Sequence, residues 1–168
     1  MAHACGLPLH SAAGTHASDG MRMNPEPTPF HQVLSAYQAA VRAKDVEAFL
    51  TMYADDLQVF DMWGGWSLRG LEAWREMATE WFGALGSDYV VVGFDEVEAS
   101  VDGALAVGHA LLSYTAYSAD GQRLRSLDNR ITVAMRWTGE TWKVFHEHTS
   151  APIDHETTKA VLRRDGGG

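Results

Sequence analysis

Cysteine is nearly absent from this chain of 168 residues: Cys5 is the one thiol, which excludes an internal disulfide framework and a Cys-rich zinc or iron–sulfur site. Basic residues are also few, with 13 Lys and Arg against 22 Asp and Glu and a formal net charge of -9. Nucleic-acid binding needs a basic face, which this balance does not favour. No apolar run approaches the ~20 residues that a membrane helix needs. We therefore expect a cytoplasmic protein with no nucleic-acid or membrane partner.

Hydrophobic residues make up 46% of the chain, and its length suits one domain with a sizeable core. Residues 1–28 are rich in Ala, Gly, Ser, His and Pro and lack apolar periodicity, which predicts a disordered N-terminal tail. The segment 153–168 is polar and ends in three glycines, so we predict a second, loosely attached tail. The folded domain is then expected over 29–152.

Helical periodicity dominates the first half of this domain. Thr28-Pro29 provides the capping hydroxyl and the first-turn proline of a helix, and Asp45 caps a second, shorter helix that we extend to Tyr53. A third helix follows Gly70 and ends before Gly86. The apolar stripes of the first and third helices are Phe30, Val33, Leu34, Tyr37 and Val41, and Leu71, Trp74, Met77, Ala78, Trp81, Phe82 and Leu85.

The second half changes to the two-residue period of β-strands. Asp-Gly and Thr-Gly pairs, which are typical of hairpins, separate the runs. A short strand over 57–61 precedes the third helix. Helices followed by a long antiparallel meander predict an α+β fold, with three helices packed on one face of the sheet. The four later strand-like runs are Tyr89–Val97, Leu105–Tyr117, Leu124–Trp137 and Trp142–Ser150.

Two histidines fall on one face of the last predicted strand. Residues two apart in a strand point to the same side, so His146 and His148 share a face with Trp142, which we expect to look at the helices. His109 shares a face with Val107 in its own strand and is a further inward candidate. Buried imidazoles need hydrogen-bond partners, so inward histidines indicate a functional pocket.

The same alternation sends Glu147 outward, onto the face of the neighbouring strand that carries Arg130. We expect these two side chains to form an ion pair at the surface or at a dimer interface. Ser150 shares the face of the two histidines and is a candidate ligand contact.

Asp61 is another polar residue that the pattern places on a buried face, because it follows Leu57 and Val59 in the same strand. Burial would raise the pKa of this carboxyl toward the range of a general base. The alternative is a carboxylate that caps a loop or pairs with Arg69. Tyr37 lies within the stripe of the first helix, so its hydroxyl is expected in the same interior.

Aromatic and thioether side chains could line the mouth of such a pocket. Trp63, Trp66 and Met77 would favour a planar apolar ligand, although Met77 also fits an ordinary core position. Gly64-Gly65 is a turn, because no strand–GxxxxGK–helix context for a phosphate loop surrounds it.

A zinc site is an alternative interpretation of the three histidines. His146, His148 and His109 could supply three nitrogens and leave an open coordination position, with Asp61 in support. We nevertheless predict a site without metal.

Two stretches resemble the nuclear-transport-factor-2-like (NTF2-like, or cystatin-like) superfamily, in its SnoaL-like, ketosteroid-isomerase-like and dehydratase branch. The segments Tyr37-Gln38-Ala39-Ala40 and Tyr53-Ala54-Asp55-Asp56 read like the opening helices of ketosteroid isomerase. The end, from Trp142 to Pro152, is similar to the W-x-x-x-H-x-H-x-S-x-P ending of SnoaL-like proteins. The resemblance covers Phe30 to Pro152 and implies a curved sheet wrapped into a cone around a long helix, in a homodimer.

The resemblance places Tyr37 where the isomerase has its oxyanion-hole tyrosine and Asp61 where it has its general base. It implies a small cofactor-independent lyase, isomerase or cyclase, similar to dehydratases, that acts on a hydrophobic carbonyl or polyketide-like compound. His146 and His148 would donate protons in that reaction. Val133 occupies the place of the isomerase's second acid, so steroid isomerisation is not expected. The alternative is a non-catalytic dimeric ligand-binding or assembly domain, like the association domain of calcium/calmodulin-dependent kinases.

Overall fold

The structure, a computed structural model, describes residues 27–164. Except for Pro27 and Thr28, the tail predicted over 1–28 therefore lies outside the described residues. The helices are α1 (Pro29–Ala43), α2 (Val46–Leu50) and α3 (Leu71–Ala84), and the strands are β1 (Tyr53–Phe60), β2 (Leu68–Arg69), β3 (Tyr89–Asp102), β4 (Leu105–Tyr117), β5 (Arg123–Trp137) and β6 (Trp142–Ser150).

The strands form one curved, unclosed sheet in the order β2-β1-β6-β5-β4-β3. Strands β3 to β6 make the predicted antiparallel meander. One pair of strands departs from the antiparallel arrangement, because β1 runs parallel to β6. Since α3 and four strands separate these two in the chain, no hairpin sets their relative direction. The α+β class is confirmed, with a mixed sheet.

Helix α1 begins and ends where the sequence predicts. The Thr28 hydroxyl accepts a hydrogen bond from the backbone N–H of His31, and Lys44 closes the helix in the left-handed conformation. Helix α2 is capped by Asp45 as predicted but ends at Leu50. Tyr53 is not helical: it starts β1 and pairs with β6, because a sheet position outweighs a weak helical preference.

The helices cover one face of the sheet, here called the inner face. Helix α1 packs against β3 and β4, where the ring of fully buried Phe30 lies directly on the backbone of Gly108. Gly108 therefore belongs to the inner face, together with the buried Ala106 and Ala110. The opposite face of β4, which carries His109, points away from the helices.

A β-bulge interrupts β6. Met135 of β5 pairs with Val144, but the preceding Ala134 pairs with His146, so Phe145 is an extra residue with no partner in this ladder. Such a residue reverses the alternation of all side chains that follow it in the strand. The buried Val144 precedes the bulge and points inward, as predicted.

The segment after β6, for which the sequence predicts a loose tail, contacts the sheet. The backbone N–H of Asp128 donates to the carbonyl of Leu162 at 2.8 Å. The guanidinium of Arg164 bonds the Asp95 carboxylate at 3.0 Å. Over residues 27–164, no helix has the length and apolar character needed to cross a membrane.

Candidate active site

The bulge places a carboxylate where the sequence predicts imidazoles. Glu147 points inward and is only 2% exposed, and Thr149 beside it is also buried. His146 and His148 point to the opposite face of the sheet, here called the outer face. There both rings contact Phe60, at centroid distances of 4.9 and 5.9 Å. The prediction of inward histidines is wrong, because it extends the alternation through a strand that gains a residue.

The other predictions that depend on that alternation fail for the same reason. The expected ion pair of Glu147 with exposed Arg130 does not form, since Glu147 lies on the inner face. Ser150 pairs with Arg130 on the outer face.

His109 is also on that face, where it lies 3.7 Å from Glu98 and where its side chain is 57% exposed. Here the strand face was assigned wrongly, since the small residues of β4 and not Val107 contact the helices.

Glu147 is held by a tyrosine from the first strand. The Tyr53 hydroxyl donates to Oε2 of Glu147 at 2.8 Å, and the Tyr53 ring meets Trp74 of α3 edge to face. Burial raises the pKa of Glu147 to about 7, the Tyr53 hydrogen bond acts in the opposite direction, and the charge of Asp61 raises it further. Glu147 can therefore hold or release a proton near neutral pH.

Asp61 is a second carboxylate of the same interior. Its Oδ1 accepts a hydrogen bond from the Thr149 hydroxyl at 2.7 Å, and the Thr149 oxygen accepts from the backbone N–H of Met62 at 2.9 Å. Asp61 is only partly buried, so it lies closer to solvent than Glu147. Thr149, between Glu147 and the end of β1, thus fixes the orientation of this carboxylate.

Two tyrosines form a hydroxyl pair above the sheet. Tyr37 of α1, which is 5% exposed, and Tyr114 of β4 place their hydroxyl oxygens 2.9 Å apart. Burial is the main reason why the pKa of each phenol lies well above its usual value. Both hydroxyls therefore stay protonated at neutral pH and can donate hydrogen bonds.

Asn129 completes the polar interior. It lies on the inner face of β5 and is 6% exposed, and its amide nitrogen donates to Sδ of Met62 at 3.1 Å. Its carbonyl oxygen is buried, and its amide lies within hydrogen-bonding reach of the Tyr114 phenol, which lowers the pKa of that phenol.

Several side chains in the space between the helices and the sheet keep part of their surface exposed. The rings of Trp81 and Tyr114, which are two of them, lie 6.1 Å apart. The partly exposed residues are Asp61, Met62, Met77, Trp81, Phe94 and Tyr114.

Asp61, Tyr37 and Met77 lie in this polar interior between the helices and the sheet, here called the inner site, as the sequence predicts. Trp63 and Trp66 lie in the loop after Asp61 and are 53% and 98% exposed, so Trp66 lines no pocket in this conformation.

In the described part of the chain, no group of three or more His, Cys, Asp or Glu side chains is arranged to hold a metal ion. The zinc alternative therefore has no structural support there.

An open groove of about 560 Å³ lies elsewhere, between α2, α3 and the start of β1. Four of its charged side chains form ion pairs: Arg75 with Glu47, and Arg136 with Asp56. Tyr53 lines this groove as well as bonding Glu147. Because Glu147, the buried carboxyl whose pKa is raised, and the buried Tyr37–Tyr114 pair lie in the interior, the candidate active site is the inner site and not the groove.

Sequence reasoning missed Glu147, Tyr53, Tyr114 and Asn129. Tyr114 and Asn129 could have been found, because once Gly108 is assigned to the inner face, both residues follow from the pairing of β4 with β5. Glu147 could not, since its orientation depends on the bulge at Phe145, and phenylalanine is an ordinary strand residue that gives no signal of a bulge.

The fold and the site can be compared with known proteins. Residues 31–154 match the family described as SnoaL-like domain. The chain is similar to the structure of an NTF2-like protein of unknown function from Pseudomonas putida KT2440, with 28% identity and a TM-score of 0.71 over 83% of this chain and 95% of that one. No curated protein matches the sequence significantly.

More distant structures share the fold alone. One is a nuclear transport factor 2 (NTF2-like) superfamily protein from Salmonella enterica, at 18% identity and a TM-score of 0.59 over 74% of this chain and 89% of that one. Another, with a cystatin-like fold, comes from Nostoc punctiforme, at 14% identity and a TM-score of 0.57 over 72% and 86%. The predicted NTF2-like fold is thereby confirmed.

Proposed function

The chain belongs to the family of SnoaL-like domains, and from this premise we propose that it is a cofactor-independent lyase, isomerase or cyclase that acts on a hydrophobic carbonyl compound. The observation that carries the proposal is Glu147: a carboxyl that is 2% exposed, that is hydrogen-bonded to Tyr53, and whose pKa is raised to about 7. A base of this strength in a water-poor interior suits proton abstraction beside a carbonyl group.

In the proposed reaction, the C–H bond next to the carbonyl breaks and its proton moves to the Glu147 carboxylate. The electron pair moves onto the carbonyl oxygen, and the substrate becomes an enolate. One hydroxyl of the Tyr37–Tyr114 pair donates to the other, so the pair keeps one free O–H that can stabilise this oxygen, as preorganised dipoles do in oxyanion sites. Return of the proton to another carbon gives isomerisation, and loss of a neighbouring leaving group gives elimination.

Asp61 is the second carboxylate in this proposal. Its charge adds to the effect of burial in raising the pKa of Glu147, and it lies closer to solvent than Glu147 does. The proposal assigns His146 and His148 no part in the chemistry, because both rings lie on the outer face.

Deuterium exchange tests the function without knowledge of the natural substrate. We expect the protein to catalyse exchange of the hydrogens next to the carbonyl of cyclic aryl ketones such as tetralones in D₂O, followed by proton NMR. Glu147→Gln should slow this exchange by roughly 10²- to 10⁴-fold, because it removes the base and keeps the shape. Glu80→Gln, at an exposed position of α3, is the matched control.

A pH profile makes the same test sharper. The exchange rate should rise with pH and level off above about 7, as Glu147 ionises. Exchange at equal rates in the wild type and Glu147→Gln would contradict the proposed function.

The exposed apolar residues of the outer face favour a second role for the chain, which is assembly into a dimer. Phe60, Val107 and Leu105 are 38, 49 and 56% exposed, and no helix of the described chain covers β4 on this side. We propose that a second copy covers this face in a homodimer. Light scattering should then give a molar mass near twice 18.4 kDa. A dimer with no exchange activity would favour the non-catalytic binding or assembly domain.

A further inference from the structure

We propose that Trp74 is a positioning residue of the inner site: its indole N–H donates to the Tyr53 oxygen and thereby fixes the Tyr53 hydroxyl as a donor to Glu147. The inference rests on the function proposed above and deepens it, because it names the group that acts on the base from behind. Trp74 is a buried donor on α3 that the proposed reaction does not otherwise use.

The place of the Trp74 ring is fixed by its neighbours. Trp74 is 3% exposed, and its ring centroid lies 5.9 Å from that of Phe49 and 5.8 Å from that of Tyr53. The buried indole N–H lies within hydrogen-bonding reach of the Tyr53 phenol, and no other atom of residues 27–164 accepts from it. An indole nitrogen can only donate, and a buried donor without an acceptor destabilises the fold. Tyr53 is therefore the acceptor that this N–H has.

The pKa values of the next two groups agree with this arrangement. Burial, followed by the charge of Glu147, raises the pKa of the Tyr53 phenol well above its usual value, and the Trp74 N–H acts in the opposite direction. Burial raises the pKa of Glu147 to about 7, and the Tyr53 hydrogen bond acts against that shift. A donor to the phenol oxygen makes the phenol a stronger donor in turn. Trp74 thus favours the charged form of Glu147 through Tyr53.

The Trp74 N–H also settles which way the Tyr53 hydroxyl points. A phenol can accept a hydrogen bond as well as donate one, so it could accept from protonated Glu147. That arrangement would favour the neutral acid and keep the base from ionising. With the Trp74 N–H at the phenol oxygen, the phenol proton is directed to Oε2 of Glu147, which is 2.8 Å away.

Four titratable groups face Glu147 from the elements around it, and they are Tyr37 of α1, Tyr53 of β1, Asp61 after β1 and Tyr114 of β4. The charge of Asp61 adds to burial in raising the pKa of Glu147, and the three phenols stay protonated because burial raises their pKa values. The residues that pair with Glu147 on the neighbouring strands, Val59 and Val133, do not titrate. A substitution of Trp74 leaves all of these groups in the chain.

Trp74→Phe removes the N–H and keeps an aromatic ring. We expect the midpoint of the pH profile of deuterium exchange to rise by at least about half a pH unit, because Tyr53 is then free to stabilise the neutral acid. Tyr53→Phe should move the midpoint in the same direction, and in that background Trp74→Phe should have no further effect. Trp142→Phe, the same substitution at a partly buried position in β6, is the matched control and should leave the midpoint unchanged.

Urea unfolding measures the same shift without a substrate. The pKa of Glu147 is higher in the fold than the ordinary 4.5, so stability is lost as the pH rises and the loss ends above the folded-state pKa. Relative to the double variant Trp74→Phe/Glu147→Gln, the upper end of this window should rise in Trp74→Phe by the same half unit or more. Loss of ring volume alone would lower stability equally at every pH.

If Trp74→Phe does not fold, the wild type still decides the question through the indole N–H signals of its six tryptophans in NMR spectra. One signal that exchanges slowly with D₂O should shift with a midpoint at about pH 7, and the shift should vanish in Glu147→Gln. The absence of such a signal, or a window that Trp74→Phe leaves in place, would overturn the inference.

The two readouts separate this failure from failure of the proposed function. If exchange depends on Glu147 while the window stays in place, acid–base catalysis stands and only the role of Trp74 is wrong. If the window moves but the wild type catalyses no exchange, the contact of Trp74 with Tyr53 stands and the proposed function is overturned.

Discussion

Gly108→Ala should lower the free energy of unfolding by about 3 kcal/mol, through overpacking of the core. An added Cβ would lie 2.2 Å from Cγ and 2.3 Å from Cδ1 of the Phe30 ring. Phe30 is fully buried between α1 and the sheet, so the ring cannot move toward solvent. Either α1 moves away from β4 or the strand bends, and each loses contacts that the helix makes near its start. Urea unfolding followed by circular dichroism measures the effect.

Gly93→Ala is the matched control, because it makes the same substitution in the neighbouring strand. There, the added Cβ would meet the Ser113 hydroxyl oxygen at 2.6 Å, and a small hydroxyl can rotate to another rotamer. We expect a change below about 1 kcal/mol. In a Phe30→Ala background, Gly108→Ala should have almost no further effect. An equal loss in both backgrounds would show that the Phe30 contact is not its cause.

Glu147→Gln should stabilise the protein by about 3 kcal/mol above pH ~8 and change its stability little near pH ~4. The pKa of Glu147 is about 7 in the fold and 4.5 for an ordinary glutamate. Between these values the folded state binds a proton that the unfolded state has released, so wild-type stability falls as the pH rises through this window. Above it, the folded protein holds a buried charge. Glutamine has no charge to bury, and its carbonyl still accepts from Tyr53.

Urea unfolding as a function of pH measures this difference. The two proteins should have parallel curves below pH ~4 and above pH ~8, and diverge between them. Glu80→Gln, at an exposed site, should follow the wild type through the same window. A stability difference that does not vary with pH would contradict the assignment of this pKa to Glu147. A stabilised but inactive variant would indicate that the reaction requires a buried carboxylate that destabilises the fold.

The helices and the meander could be predicted because their signals are local. Thr28 and Asp45 cap helices within three residues of themselves, and the glycines of the hairpins lie between the strands that they join. The direction of β1 against β6 could not, since Tyr53 and Val144 meet across 91 positions of the chain. Nothing near either residue fixes whether the strands run the same way.

The site was predicted in part for a related reason. Tyr37 and Asp61 follow from stripes that run without interruption to the residue in question. His146 and His148 come after Phe145, and one unpaired residue was enough to exchange them with Glu147 and its neighbour. The types of chemistry that the sequence predicts, acid–base groups in a helix-covered interior, hold for the structure. The residues on the last strand do not.

The extra residue at Phe145 also affects how this chain can be aligned with its relatives. The W-x-x-x-H-x-H ending can match letter by letter in two proteins and still describe opposite surfaces, if one of them lacks the bulge. Deleting Phe145 would turn the two imidazoles toward the helices and Glu147 toward solvent. A single codon thus separates a carboxylate interior from a histidine interior.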